Sequence, residues 1–390
     1  MERLIKKYVN KLIKSGLVNA EDVFFAGIDE QIVWNRTETE HHEIFTTLFR
    51  HLTINSLLFS LPDEPYRTII NYLASKSYGA IYPKDCETRT FLHDLPVLNE
   101  LDECKVVEAL KRRKAVIIEN KGIITYGTVS PEQAFVTYSS VCFSCFVKFF
   151  VDYYNNVKQK TVDQEQQAVF EKVIELLSPP LEDGTISLSE LYRKQLTLTE
   201  DPYGCMVETG NLMVENRLVD SFFGNLSYCS GKTLYISQTG SSLDELNGCI
   251  DPCPMDDSSS IALTASSEFS AHRKIVTSTD YNVILHGHPK FSVIISMCCD
   301  NYVCESLGKC HIRCSRKRYL DDIPIVPGEV GTGVYGLCNT LPVNIKNNRG
   351  AIVYGHGLFS VGINDFVTPF RTMVFIENRA REAFFLSLKE

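Results

Sequence analysis

The chain lacks a basic excess, an uncharged apolar run of membrane-spanning length, and an apolar stretch behind its first charged residues. Each absence removes a class of function. With 39 lysines and arginines against 48 aspartates and glutamates, the formal charge is −9. A nucleic-acid footprint would need a basic face, and the one local basic cluster, Arg313, Arg316, Lys317 and Arg318, reads as a solvated loop. The most apolar segment, Val141 to Tyr154, is broken by Lys148 and Asp152 and falls short of the roughly 20 apolar residues a membrane span requires. It reads as a buried helix. The opening Met1-Glu2-Arg3-Leu4-Ile5-Lys6-Lys7 has no apolar core behind its charges, so no secretory signal is expected. A cytoplasmic setting follows, in which the 14 cysteines are reduced and clusters of them more often bind metal than pair as disulfides.

At 390 residues the chain is long enough for two domains, which usually run to roughly 100–200 residues each. Leu4, Ile5, Tyr8, Val9, Leu12 and Ile13 recur at helical spacing, predicting an amphipathic helix that stops at Gly16. Strand-like runs at 23–27 and 31–34 precede a helix from about residue 40 to 51. An apolar run at 56–59, a helix at 66–73, an apolar stretch around Pro96, a helix at 104–111 and a strand at 115–118 follow. A long aromatic-rich helix, about 131–154, closes this half. Residues 157–200 turn polar, with Pro179-Pro180 and Gly184 in the middle, and read as a connector containing one helix at about 164–177. The expected division is therefore 1–156, connector 157–200, and 201–390.

The second half repeats the first. Lys114 to Gly122 lies over Arg349 to Gly357 without a gap, continuing to Gly127 over Gly362. Phe91 to Leu98 lies over Tyr319 to Val326, and Asn55 to Pro62 over Asn282 to Pro289. Two copies of one α/β unit in tandem are expected.

Chemistry gathers in the second copy. The apolar run Val283-Ile284-Leu285 ends in His286-Gly287-His288-Pro289, and Ala351-Ile352-Val353-Tyr354 ends in Gly355-His356-Gly357. Residues two apart on an extended chain share a face, so His286 and His288 can aim at one point. The glycines flanking His356 let a second strand end approach closely. Three imidazoles from two strand ends suit a catalytic zinc of the open type, with a position left for water or substrate. Opposite them the first copy carries Phe59, Leu61 and Lys121, which make no metal site, so that copy reads as a scaffold with structural or exposed histidines.

Further motifs fall in a telling order: Gly224-Asn225-Leu226-Ser227, Thr239-Gly240, Ser266-Ser267-Glu268, then the two histidine motifs. From about Val207 onward the sequence resembles the class II aldolase/adducin family, which includes fuculose-phosphate aldolases. The resemblance implies an α/β fold of tandem three-layer αβα domains, each a mostly antiparallel central sheet covered by helices. It implies His286, His288 and His356 as ligands of Zn2+ or another divalent metal. Glu268 would be the acid/base, close enough to ligate the metal at rest. Taken alone, Glu268 reads as a carboxylate at a helix N-terminus after Ser266 and Ser267, and it is the motif that points to chemistry. Gly224, Asn225, Thr239, Gly240, Ser266 and Ser267 would bind a substrate phosphate, supplying donors without bulk. The implied reaction is lyase cleavage or formation of a C–C bond in a small phosphorylated hydroxy-carbonyl compound, through a metal-stabilised enediolate. Relatives use the same site for epimerisation, dehydration or decarboxylation, and an adducin-like scaffold without catalysis is the contrasting expectation. Some members protonate the leaving group with a tyrosine between the second and third histidines; Tyr335 and Glu329 stand in that region. The implied assembly is a homo-oligomer, a dimer with pseudo-tetrameric arrangement if each fused pair imitates two subunits.

A cysteine-rich insertion at 298–314 interrupts the second copy. Cys299, Cys304, Cys310 and Cys314 are spaced C-x4-C-x5-C-x3-C, with His311 as a spare ligand. Four soft donors in so short a loop suit a structural Zn2+, or with less support an iron–sulfur cluster, in place of a core the loop is too small to build. Reduced thiols or disulfides are the contrasting expectation.

Overall fold

The computed structural model describes residues 1–36, 41–181, 201–219, 222–256, 258–329 and 331–389. Its backbone divides into two compact units, Met1–Ser178 and Pro179–Glu390. In the first, α1 (Glu2–Lys14) buries Ile5, Tyr8 and Leu12 along one face and ends at Gly16, whose φ of 66° a side chain would disfavour. The strands are β1 (Val18–Ile28), β2 (Ile32–Trp34), β3 (Ser56–Pro62), β4 (Ala80–Ile81), β5 (Leu95–Leu98), β6 (Ala115–Ile118) and β7 (Gly122–Gly127). They form one sheet in the order β2-β1-β3-β7-β6-β5-β4. The covering helices are α2 (His42–His51), α3 (Tyr66–Ser75), α4 (Cys86–Leu92), α5 (Glu103–Arg112) and α6 (Pro131–Gln159).

Two features depart from the sequence reading. Helix α6 runs for 29 residues, and by length and composition it could cross a membrane, yet 89% of its apolar window is buried inside the unit. It is the central core helix of this unit. Helix α7 (Gln164–Leu176), expected within the connector, packs on the first unit instead: Phe170 stacks on Tyr153 with centroids 3.5 Å apart, and Val173 is buried. Residues 182–200 of the expected connector lie outside the described residues.

In the second unit, α8 (Pro202–Glu215) leads into β8 (Asn225–Ser230), β9 (Thr233–Ser237) and β10 (Ile250–Pro254). Helix α9 (Phe269–Ser278), β11 (Val283–Gly287), α10 (Lys290–Met297), β12 (Arg318–Leu320) and β13 (Ile323–Val326) follow. The unit closes with α11 (Leu337–Ile345), β14 (Gly350–Val353), β15 (Gly357–Gly362) and α12 (Val367–Ser387). Its sheet order is β10-β9-β8-β11-β15-β14-β13-β12. Apart from the added edge strand β10, this is the first sheet strand for strand, and among the described residues the parallel strand pair of each sheet is the equivalent one, β5·β6 and β13·β14.

The registers coincide as well. Ser56 faces Gly127 as Val283 faces Gly362, and Ala115 faces Thr125 as Gly350 faces Ser360. Phe24 faces Phe59 as Asn225 faces His286. A slip of one residue would turn every side chain to the opposite face, so this agreement places Phe59 at the position of His286 and Phe24 at that of Asn225. In the first unit those positions are filled by packed rings: Phe24 lies 4.9 Å from Phe45, and Phe45 lies 5.2 Å from Phe59. The fold is therefore α/β in tandem, with two mostly antiparallel sheets covered by helices.

Candidate metal centre

Strand β11 delivers His286 from its buried run, and the chain turns at Gly287 to present His288 before α10 begins. The backbone is held there at both ends. His288 N–H donates to Leu218 O at 3.0 Å. On the far side, the Glu377 carboxylate of α12 accepts from the N–H groups of Phe291 and Ser292, each at 2.8 Å, satisfying donors that the first turn of a helix leaves open. From the neighbouring strands, the turn between β14 and β15 brings in His356. Gly357 makes the approach possible: a Cβ there would meet Gly287 O at 2.4 Å and His286 Cε1 at 2.8 Å.

The ligand nitrogens of His286, His288 and His356 lie within 4.8 Å of one another, and all three rings are buried. His286 and His288 approach Nε2 to Nε2 at 3.0 Å. The other nitrogen of His286, Nδ1, lies 3.2 Å from Leu358 O; donation to that carbonyl fixes the tautomer and leaves Nε2 a free lone pair, as a metal ligand requires. Burial pushes His286 down to about 4 and His288 well below the ordinary histidine value, so both are neutral near pH 7. Neutral imidazoles at this spacing fit a divalent cation, since zinc bound at about 2.0–2.1 Å from each nitrogen sets neighbouring nitrogens a little over 3 Å apart.

Glu268 completes the cluster from the start of α9. Oε1 lies 3.1 Å from His356 Nε2, Oε2 lies 3.4 Å from His286 Nε2, and Asn225 Nδ2 donates to Oε2 at 2.9 Å. Burial pushes this carboxyl upward, but the facing His286 and His356 and the Asn225 amide outweigh it and hold Glu268 well below the ordinary carboxylate value. An acid/base role asks for a value nearer neutrality. The structure holds Glu268 ionised instead, in the position of a fourth donor.

The other expected residues divide. Asn225 and Ser266 are buried beside Glu268, and Glu268 N–H donates to Ser266 Oγ at 3.3 Å. Gly224, at φ 119°, packs so closely on β11 that a Cβ would meet His286 O at 2.6 Å. Thr239, Gly240 and Ser267 are exposed on two turns joined by the Gln238–Ala265 bridge. Glu329 and Tyr335 sit together on an exposed loop, with Glu329 N–H donating to Tyr335 O at 3.2 Å. Among the described residues only the three histidines converge tightly enough to share an ion; Cys299, Cys304, Cys310 and Cys314 are free thiols of one loop and do not close to that spacing.

One residue escaped the sequence reading. His272 lies one helical turn after Glu268 on α9, fully buried, with Nδ1 2.7 Å from Ser227 Oγ. Its spacing of four from Glu268 puts both on one helix face, which was the available signal. Burial pushes it down to about 3.

These shifts set a pH dependence. A histidine whose folded value is depressed takes up its proton first in the unfolded chain, so stability is lost as pH falls from the unfolded value toward the folded one. With His286 moved from 6.5 to about 4 and His272 from 6.5 to about 3, the metal-free protein is expected to lose Tm steadily as pH falls from 6.5 to 4. Thermal melts followed by circular dichroism check this; a Tm unchanged across that range would contradict the buried, neutral state.

Residues 205–384 match the sequence model of a family described as Class II Aldolase and Adducin N-terminal domain. Similar solved structures include L-fuculose-1-phosphate aldolase from Thermus thermophilus, at 20% identity over 48% of this chain and 94% of that one, with a TM-score of 0.39. A sugar-phosphate aldolase from Thermotoga maritima is 15% identical over 47% and 93%, with a TM-score of 0.34. L-fuculose 1-phosphate aldolase from Glaciozyma antarctica is 14% identical over 53% and 78%, with a TM-score of 0.34. Comparison with curated proteins finds no match. The match to the class II aldolase and adducin family model thus spans the part of the second unit that carries Glu268 and the histidine cluster.

Proposed function

We propose that the second unit is a metal-dependent lyase that cleaves or forms a C–C bond in a small, phosphorylated hydroxy-carbonyl compound. The observation that carries this reading is the buried meeting of three histidines with the ionised Glu268. His286, His288 and His356 would hold a divalent cation, which when bound supplies Lewis acidity toward a substrate oxygen. Asn225 and the imidazoles orient Glu268. Once substrate displaces that carboxylate from the imidazoles, burial is the main influence left on it, and burial raises its proton affinity. Glu268 can then take and return a proton on the reacting carbon or hydroxyl. Thr239, Gly240 and Ser267, on adjoining exposed turns, would receive the phosphate through hydroxyls and glycine-exposed backbone N–H groups, with Gly224, Asn225 and Ser266 lining the inner side.

A scaffold that had lost its chemistry would gain nothing from this cluster. Burying a carboxylate and three imidazoles costs several kcal/mol unless an interaction offsets it, and the first unit shows the fold is filled at least as well there by Phe24, Phe45 and Phe59. The test is incubation of metal-loaded protein with a panel of sugar phosphates. A lyase yields a carbonyl fragment such as dihydroxyacetone phosphate or glycolaldehyde; an isomeric product of unchanged mass would mean epimerisation on the same site, and no turnover with any phosphorylated sugar would count against the reading.

A further inference from the structure

The loop between α10 and β12 is built inside out. Val303 and Leu307 are 95% and 62% exposed, while Cys299, Cys304, Cys310 and Cys314 are all turned partly inward. Apart from turns, residues 298–317 contain no helix or strand, and a loop of this length whose Val303 and Leu307 face outward has little core of its own to order it. Beside its backbone turn bonds, two side-chain contacts involve sulfur. Ser306 N–H donates to Cys304 Sγ at 3.4 Å, and Cys310 Sγ donates to Ser306 O, also at 3.4 Å, so one backbone residue holds two of the thiols. Burial raises the Cys310 thiol, and the neighbouring sulfurs of Cys314, Cys299 and Cys304 add to the effect. Four partly buried thiols therefore share one loop, and two of them, Cys304 and Cys310, meet through Ser306.

We propose that Cys299, Cys304, Cys310 and Cys314 bind a single zinc ion that orders this loop and braces the turn carrying His356. Four thiolates around a divalent cation leave a net negative charge, and Lys309, Arg313, Arg316 and Lys317 supply cations in the same stretch, which gives the basic cluster a role. The thiols must draw together from their present spacing; a loop without ladder hydrogen bonds can do so at little cost. The brace consists of a few specific contacts: the Tyr354 hydroxyl donates to Cys310 Sγ, Gly355 N–H donates to Ser296 Oγ at 2.9 Å, and Arg318 ties the exit of the loop to Ser296 O and Cys298 O, each at 2.6 Å. Tyr354 and Gly355 immediately precede His356.

Cobalt(II) substitution separates this site from the histidine centre, because only thiolate ligands give intense sulfur-to-cobalt charge-transfer absorption. The full chain loaded with cobalt is expected to show that band, His288→Ala to keep it, and Cys304→Ser/Cys310→Ser to lose it. Should the double variant fail to fold, thiol titration of the native full chain decides: four additional cysteines are expected to react after chelation, while the exposed Cys104 reacts in either state. Absence of the band in the wild type, its loss in His288→Ala, its persistence in the cysteine variant, an unchanged thiol count on chelation, a disulfide among the four, or iron with labile sulfide in place of zinc would each overturn the proposal.

Discussion

His288→Ala is expected to reduce stoichiometric metal binding at the histidine centre to background and to abolish turnover, whereas Lys121→Ala changes neither. Loss of a mere outer-shell partner typically costs 10–100-fold in metal affinity, and His288 is proposed as one of three direct ligands, so its removal should cost more. No neighbour can take its place: the ring is buried, stacked on Phe223 with centroids 5.5 Å apart, and set by the backbone bond to Leu218. Lys121 occupies the place of His356 in the first unit but is exposed and stands at the edge of a site filled by aromatic rings. Metal analysis of the two purified variants, paired with a turnover assay, reads the difference. Equal losses in both would sink the division of labour between the units.

Glu268→Gln is expected to lower kcat by roughly 10²–10⁴, the usual span for removing a general acid/base, while the three histidines retain the metal. The amide keeps the shape of the carboxylate and an oxygen for Asn225 Nδ2, so packing is preserved. It loses the capacity to take up a proton. Because the carboxylate also stands where a fourth donor would be, metal affinity should fall modestly, far less than in His288→Ala. Kinetics and metal content measured on the same preparation separate the two effects. A variant with unchanged kcat would remove Glu268 from the chemistry, and one that loses all metal would make it a ligand alone.

Much of the architecture could be read before any coordinates. Strands β3, β6 and β11 are short apolar runs bounded by polar residues or turns, and the gapless pairing of Lys114–Gly127 with Arg349–Gly362 reappears as identical registers in β6·β7 and β14·β15. Local pattern was least informative at α4, whose seven residues are too few to show a helical period. It also misassigned α7. An amphipathic helix in a polar stretch reads as linker, and only the docking of Phe170 on Tyr153 shows which unit owns it. Glu329 and Tyr335 were candidates by position along the chain alone, and an exposed loop holds them.

What the sequence determined by itself is the identity and order of the reactive side chains: two histidines a residue apart at one strand end, a third between glycines at another, a glutamate after two serines. Those are local facts, fixed by alternation along a strand and by where glycine permits a turn. The tertiary structure decided everything that depends on which strands lie side by side. Asn225 reaches Glu268 across 43 positions, and His286 reaches Leu358 across 72. Burial, tautomer and ionisation arise only from that pairing, because a charge or a lone pair is set by what surrounds it in space.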